Sequence, residues 1–143
     1  MPGYELAKLK WVVENTILDR FLFVQDSVIV SPGLYERLTA FDGSVALMSD
    51  PVPFGCYLGV YERDVLKTVG IPDIRSKREA VGAEIWWTKA YCAEAGDVPV
   101  LFSELSDKNA KREVVHHGRN NLVLENDFLI KYKGTWRYEQ IVD

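Results

Sequence analysis

Cysteine and histidine are scarce in this chain, and it has no long apolar run. The two cysteines, Cys56 and Cys92, and the two adjacent histidines form no C-x-x-C motif or His/Cys cluster. This spacing excludes a zinc site or disulfide framework and predicts reduced thiols in a cytoplasmic protein. A membrane span needs about 20 apolar residues, which no segment approaches, so we expect no membrane partner. Glu5, Lys8 and Lys10 interrupt the apolar segment that a signal peptide would need.

The bulk composition is that of one ordinary globular domain. Of the 143 residues, 48% are hydrophobic and 27% are charged, so we expect residues 1–143 to share one core. The net charge is −4. This acidic balance argues against nucleic acid as a partner, because proteins that bind nucleic acid usually carry a basic surface.

The most informative stretch of the chain is residues 68–96 with the strand before it. A predicted strand, a charged loop and the longest predicted helix follow one another there. Val65–Ile71 is rich in β-branched residues and predicts the strand. Ser76 and Glu79 have capping-box spacing, so the helix is predicted to begin at Ser76. Its apolar stripe is predicted to consist of Val81, Ile85, Thr88 and Cys92, with Trp87 and Tyr91 beside them.

The loop carries an unusual concentration of positive charge. Arg75, Lys77 and Arg78 lie at the start of the helix, where the helix dipole favours negative charge by about 0.3–1 kcal/mol per group. An anion bound to the free backbone N–H groups would reverse this effect, which predicts a phosphate site. The alternative is that these side chains extend into water at little cost.

The remaining segments predict mostly strands. Tyr4–Lys10 alternates like a strand, although a helix also fits, and Trp11–Phe21 favours a helix. Ser106–His117 predicts a loop and a second helix. The other predicted elements are a hairpin of Phe21–Val24 with Ser27–Val30, a helix at Leu34–Phe41, and strands at Ser44–Met48, Phe54–Tyr61, Val98–Leu105, Leu122–Glu125, Phe128–Tyr132 and Thr135–Ile141. Val98–Leu105 is expected to lie parallel to Val65–Ile71, since a helix connects them. The predicted fold class is α+β, with a central mixed, mostly antiparallel sheet and helices on both faces.

This element order resembles the GNAT superfamily of N-acyltransferases. That family has a pyrophosphate loop of the form Q/R-x-x-G-x-G/A, and this chain has Arg75-Ser76-Lys77-Arg78-Glu79-Ala80 there. The first arginine and the last small residue are kept, and Arg78 replaces the glycine. Asn109 stands where the family often has an asparagine near the pantetheine arm. His116 stands where the family often has a proton-donating tyrosine.

The resemblance implies an N-acetyltransferase that moves an acetyl group from acetyl-CoA to an amine on a small molecule or protein. The pyrophosphate would be held by the backbone N–H groups of Lys77–Ala80, which include that of Glu79, and by the side chains of Arg75 and Lys77. The edge of the predicted strand, at Val69 and Ile71, would pair with the pantetheine arm. His116 would be the general acid. The alternative for His116 is a structural role, as a cation that interacts with the dipole at a helix C-terminus. The general base would be Glu104 or Glu62, either of which also fits a solvated carboxylate.

Two other functions remain open. The replacement of glycine by Arg78 and the lack of a glutamate on Val65–Ile71 favour a catalytically inactive, GNAT-shaped structural or interaction protein, such as an accessory protein of a phage particle. Trp87 is expected in the core, and an outward Trp86 would favour a homodimer or partner contact. A third function is binding of a nucleotide or nucleic-acid phosphate by the two basic loops.

Overall fold

The computed structural model describes residues 4–116 and 118–134, and for residues 116 and 119 it describes the backbone alone. Within these residues the fold is α+β, as predicted, with four α-helices and two antiparallel sheets. The helices are α1 (Glu5–Asn15), α2 (Pro32–Leu38), α3 (Arg63–Val69) and α4 (Lys77–Ala95). The strands are β1 (Arg20–Phe23), β2 (Val28–Val30), β3 (Val45–Ala46), β4 (Gly59–Glu62), β5 (Arg112–His116), β6 (Arg119–Glu125) and β7 (Leu129–Gly134).

The strands form two sheets instead of the single mixed sheet that we predicted. One sheet has the order β1-β4-β3 and the other β2-β7-β6-β5, and every named pair is antiparallel. The predicted hairpin of β1 with β2 is therefore wrong, because each pairs with a strand far along the chain. The segment predicted as Val98–Leu105 is mostly irregular, and Val100 forms one parallel bridge, to Ala46.

The strand predicted at Val65–Ile71 is wrong, because most of it lies in helix α3. Leu66 is buried, and Val65 and Val69 pack beside it, which is helical spacing on one face. Gly70, at φ 79°, ends the helix and donates its N–H to the Leu66 carbonyl at 2.8 Å. The β-branched residues suggested a strand locally, whereas burial of this one face favours the helix.

Helix α4 begins where the sequence predicted, with Ser76 as its N-cap. Its buried stripe agrees with the prediction in part, since Thr88 is buried and Cys92 packs against the core, but Val81 and Ile85 are exposed. The other buried residues of the helix are Ala83, Trp87 and Tyr91, which lie four residues apart. The core role predicted for Trp87 is confirmed, whereas Trp86 is 54% exposed. The indole N–H of Trp87 donates to the Gly70 carbonyl at 2.8 Å, which fixes α4 against the end of α3.

An aromatic cluster joins α4 to the three-stranded sheet. The Tyr61 ring lies 4.6 Å from Phe54 and 5.1 Å from Tyr91, centroid to centroid. Tyr91 also accepts the Glu62 N–H at 2.8 Å and contacts the Ser44 hydroxyl at 2.7 Å. This packing holds the second half of α4 against the three-stranded sheet and against Phe54, which precedes the turn Gly55–Tyr57.

The C-terminal part of the described chain is a strand meander. The helix predicted at Ser106–His117 is wrong, because only a short 3₁₀ turn, Asp107–Asn109, precedes strand β5. Pairing of β5 with β6 supplies the hydrogen bonds that a helix would have made internally. The strands predicted at Leu122–Glu125 and Phe128–Tyr132 are confirmed within β6 and β7, and Thr135–Ile141 lies outside the described residues.

Candidate ligand cleft beside the longest helix

A cleft of about 220 Å³ opens beside the first half of α4. Five parts of the chain that are far apart in sequence form it: the start of α1, the β1–β2 connection, the turn Gly55–Tyr57, α4 and β7. Its walls include both charged groups and apolar surface. The residues that define its chemistry are Cys56, Tyr57, Lys77, Glu84, Lys131 and Lys133.

Lys131 contributes a buried ammonium group to the cleft wall, and the residue is only 5% exposed. Its Nζ donates to Gln25 Oε1 at 2.5 Å and to Ser27 Oγ at 2.6 Å. An ammonium has three donors, and in the described part of the chain the third has no acceptor. No carboxylate of residues 4–116 or 118–134 lies within 4.0 Å of it. Burial lowers the pKa of this amine, because desolvation penalises the charged form.

The second lysine of β7, Lys133, is in a different state. Its Nζ lies 2.8 Å from Asp107 Oδ1 and 3.9 Å from Asp50 Oδ2. Burial acts to lower its pKa, but the hydrogen bond to Asp107 and the neighbouring carboxylates outweigh burial and raise the pKa. Lys133 is therefore a neutralised cation, whereas the hydrogen-bond partners of Lys131 among residues 4–116 and 118–134 are neutral.

Glu84 lies on the α4 side of the cleft. One carboxylate oxygen, Oε1, accepts the backbone N–H of Cys56 at 2.7 Å, which ties the helix to the turn Gly55–Tyr57. Glu84 and Glu5 both favour the charged form of Lys131 through space, without pairing directly with it. Glu5 is instead paired with Lys8 on α1, at 3.3 Å.

The turn that borders the cleft has an unusual backbone. Phe54, Cys56 and Tyr57 have φ angles of 65°, 55° and 58°, in the left-handed region. Each such residue costs about 1–2 kcal/mol when it is not glycine, and residues of this kind concentrate at functional sites. The turn is held against α4 by two hydrogen bonds, one from the Cys56 N–H to the Glu84 carboxylate and one from the Tyr57 hydroxyl to the Ala80 carbonyl at 3.2 Å. The same burial raises the pKa of the Cys56 thiol to about 11.

The predicted phosphate loop is divided by the structure. Lys77 and Ala80 line the cleft, whereas Arg75, Arg78 and Glu79 are exposed. Ser76 Oγ accepts the Glu79 N–H at 3.1 Å, and Glu79 Oε2 accepts the Arg75 N–H at 2.8 Å. The carboxylate of Glu79 therefore already occupies part of the backbone surface that a pyrophosphate would need.

The other residues expected to bind the cofactor do not line the cleft. Val69 is the last residue of α3, and Ile71 follows it. Both pack against the core that contains the aromatic cluster, so neither offers a strand edge to a pantetheine arm. Asn109 Nδ2 donates to the Glu104 carbonyl at 3.1 Å, within the turn before β5. Asn109 therefore lies in the turn before β5 and does not line the cleft.

The predicted catalytic residues occupy separate places. Glu104 is exposed, and its Oε1 accepts from Asn126 Nδ2 at 3.1 Å. Glu62 accepts from the backbone N–H and the hydroxyl of Ser44, at 3.1 and 2.7 Å. The backbone of His116 ends β5 opposite Arg119, and the side chain on which its predicted role depends lies outside the described residues, as does His117.

Sequence reasoning missed Lys131, Glu84 and the turn at Cys56. One signal for Lys131 was present, because side chains alternate along a strand and Lys131 shares a face with the buried Leu129. A lysine on the buried face of a strand is unusual and marks a candidate site. Its hydrogen-bond partners lie 106 and 104 positions earlier, which no local pattern could reveal.

Comparison of the chain with family models, curated proteins and solved structures finds no match. The role of the cleft is therefore inferred from its own geometry. In residues 4–116 and 118–134, no three His, Cys, Asp or Glu side chains are grouped to hold a metal ion. None of the helices in that same part of the chain combines the length and the apolar composition of a membrane span.

Proposed function

We propose that the protein binds a small molecule carrying a carboxylate or phosphate group in the cleft beside α4. The observation that carries this proposal is the Lys131 ammonium, which is buried in the cleft wall with one donor unused by the described residues. Carboxylate and phosphate oxygens are the usual acceptors of such a donor.

Energetics favour an anionic ligand over a neutral one. A buried charge without an oppositely charged partner destabilises a protein, and an anion at Lys131 would compensate for that cost. Lys133 is already neutralised by Asp107, so Lys131 is the stronger attraction of the two lysines on β7. Tyr57 and Val81 add apolar surface, which suits a ligand with a short carbon skeleton beside its charged group.

Calorimetric titration with inorganic phosphate and with acetate tests this proposal. A hydrogen bond to a charged group contributes about 1.5–3 kcal/mol, so Lys131→Met should weaken binding roughly tenfold to a hundredfold. Lys67→Met is the matched control, because Lys67 is exposed on α3 and does not line the cleft. Equal affinity in Lys131→Met and Lys67→Met, or no saturable binding by the wild-type protein, would contradict the proposal.

N-acetyl transfer from acetyl-CoA to an amine is the second candidate function. It is supported by Lys77 and Ala80, which belong to the GNAT-like loop and also line the cleft. Two features fit this cofactor poorly: Glu79 already binds the Arg75 N–H, and α3 replaces the expected strand. A bound acetyl-CoA would supply the activated acetyl group, and Lys77, which lines the cleft, would help to hold its phosphates.

Titration with acetyl-CoA and with CoA separates the remaining alternatives. Binding that is lost in Arg75→Ala but retained in His116→Ala, with turnover lost in both, would support the acetyltransferase. CoA binding without acetyl transfer to any amine would support a catalytically inactive relative of that fold. Phosphate binding without CoA binding would leave the small-anion cleft as the function and remove acetyl-CoA as its ligand.

A further inference from the structure

We propose that the amine of Lys131 forms an imine with an aldehyde or ketone that carries a carboxylate or phosphate group. This inference rests on the proposed function and names the class of ligand more narrowly. The reacting atom is Lys131 Nζ, which lies in the cleft wall and is fixed there by Gln25 Oε1 and Ser27 Oγ.

The surroundings of Lys131 increase the fraction of the amine that is neutral and nucleophilic, although the ammonium form is still present to bind an anion. Gln25 and Ser27, which accept its hydrogen bonds, are uncharged side chains, and desolvation lowers the pKa of Lys131. Lysines that are desolvated in this way are the ones that proteins use for imine chemistry. The charged or titratable groups that act on it are Glu5 from α1, Cys56 from the strained turn, Glu84 from α4 and Lys133 from β7.

Two other described lysines, Lys133 in the cleft and Lys8 on α1, are less suited to the reaction. Lys133 is paired with Asp107, which raises its pKa and keeps it protonated. Lys8 is exposed and paired with Glu5. A carbonyl compound that enters the cleft should therefore react at Lys131 in preference to either of these.

The reaction is balanced without an oxidant or reductant. The Nζ lone pair forms a bond to the carbonyl carbon, and the carbonyl π electrons move to oxygen, which takes up a proton. The nitrogen loses one proton to give the neutral carbinolamine. The hydroxyl group then takes up a second proton and leaves as water while the nitrogen lone pair forms the C=N bond, and loss of the remaining N–H proton gives the neutral imine. Glu84 is placed to exchange these protons, because Oε1 accepts the Cys56 N–H and Oε2 accepts no hydrogen bond from the described residues.

Reductive trapping tests the imine directly. The full chain is incubated at pH 7 with glyoxylate, an aldehyde that carries a carboxylate, together with sodium cyanoborohydride, and peptides are then analysed by mass spectrometry. A carboxylate bound in the cleft would hold the aldehyde group beside the amine, which raises its effective concentration there relative to exposed lysines. We expect saturable labelling of Lys131, about tenfold or more above that of the exposed Lys8 and Lys67, and protection of Lys131 by phosphate.

Two variants separate failure of this inference from failure of the proposed function. Lys131→Arg keeps the positive charge but cannot form an imine, so it should retain phosphate binding and lose the label. Lys131→Met should lose both. Phosphate binding with labelling of Lys131 no greater than that of Lys8 would overturn the imine and leave the anion cleft standing. Absence of both phosphate binding and selective labelling in the wild-type protein would overturn the two together.

Discussion

The wild-type protein is expected to lose stability at alkaline pH because its Cys56 thiol ionises more readily when unfolded. Cys56→Ala lacks this thiol and should not show that part of the loss. The Cys56 thiol is buried in the turn beside the cleft, and this desolvation raises its pKa from 9.0 to about 11. Between these values the folded protein holds a proton that the unfolded chain has lost. The stabilisation is complete below pH 9 and is lost as the pH rises towards 11, so the free energy of unfolding falls across this range.

The magnitude follows from the size of the change in pKa. A difference of about two in pKa corresponds to about 2.7 kcal/mol in the limit, of which about half, or 1.4 kcal/mol, is lost by pH 10. Urea unfolding of both proteins at pH 7, 8, 9 and 10 measures this, because the tyrosines and Cys92 titrate in both and largely cancel. At pH 7 Cys56→Ala should be the less stable protein, since it loses buried volume.

The difference in unfolding free energy between wild type and Cys56→Ala should therefore change by about 1.4 kcal/mol between pH 7 and pH 10, in favour of the variant. A difference that stays constant over this range would refute the reasoning. It would mean that the Cys56 thiol reaches water, and that the turn beside the cleft is more open than the structure shows.

Three further substitutions test the elements that position the cleft, each by urea unfolding at pH 7. Ser76→Ala should lower stability by about 1 kcal/mol because it removes the N-cap of α4, whereas Ser76→Asp should not, and equal losses in the two variants would contradict the cap. Tyr91→Phe should lower the free energy of unfolding by about 2 kcal/mol, because it removes the hydroxyl that contacts Ser44 and leaves the Glu62 N–H unpaired. A loss below about 0.5 kcal/mol, on the order of one weak hydrogen bond, would contradict this network. Gly82→Ala should raise stability by about 1 kcal/mol, since the added methyl meets nothing within 4 Å in the described structure, and a loss of stability would show that this helix face is covered.

The parts of the fold that could be predicted from the sequence are those set by local chemistry. Ser76 and Glu79 lie three residues apart and cap α4 through neighbouring backbone atoms, so their pattern was sufficient. The Asn126-Asp127 turn between β6 and β7 was equally local, because Asn126 Oδ1 accepts the backbone N–H groups of Phe128 and Leu129.

Helix α3 and the cleft depend on tertiary packing and were missed for that reason. In Val65–Ile71 the β-branched residues indicated a strand, but burial of Leu66 in the core shared with α4 and the glycine stop at Gly70 decide for a helix. Lys131 acquires its significance from Gln25 and Ser27, which approach it only because β2 pairs with β7. The expectation of an anion at the start of α4 rested on cations that are mostly exposed, while the buried ammonium lies on a different element.

The central claim is that an anionic group binds Lys131 in the cleft beside α4. A crystal structure with arsenate, an anomalously scattering analogue of phosphate, tests it most directly. We expect an anomalous peak from the arsenic atom in the cleft. An arsenate oxygen should lie about 2.7–2.9 Å from Lys131 Nζ, the range of a charge-assisted hydrogen bond. Arsenate found only at exposed lysines, with water or nothing beside Lys131, would contradict it.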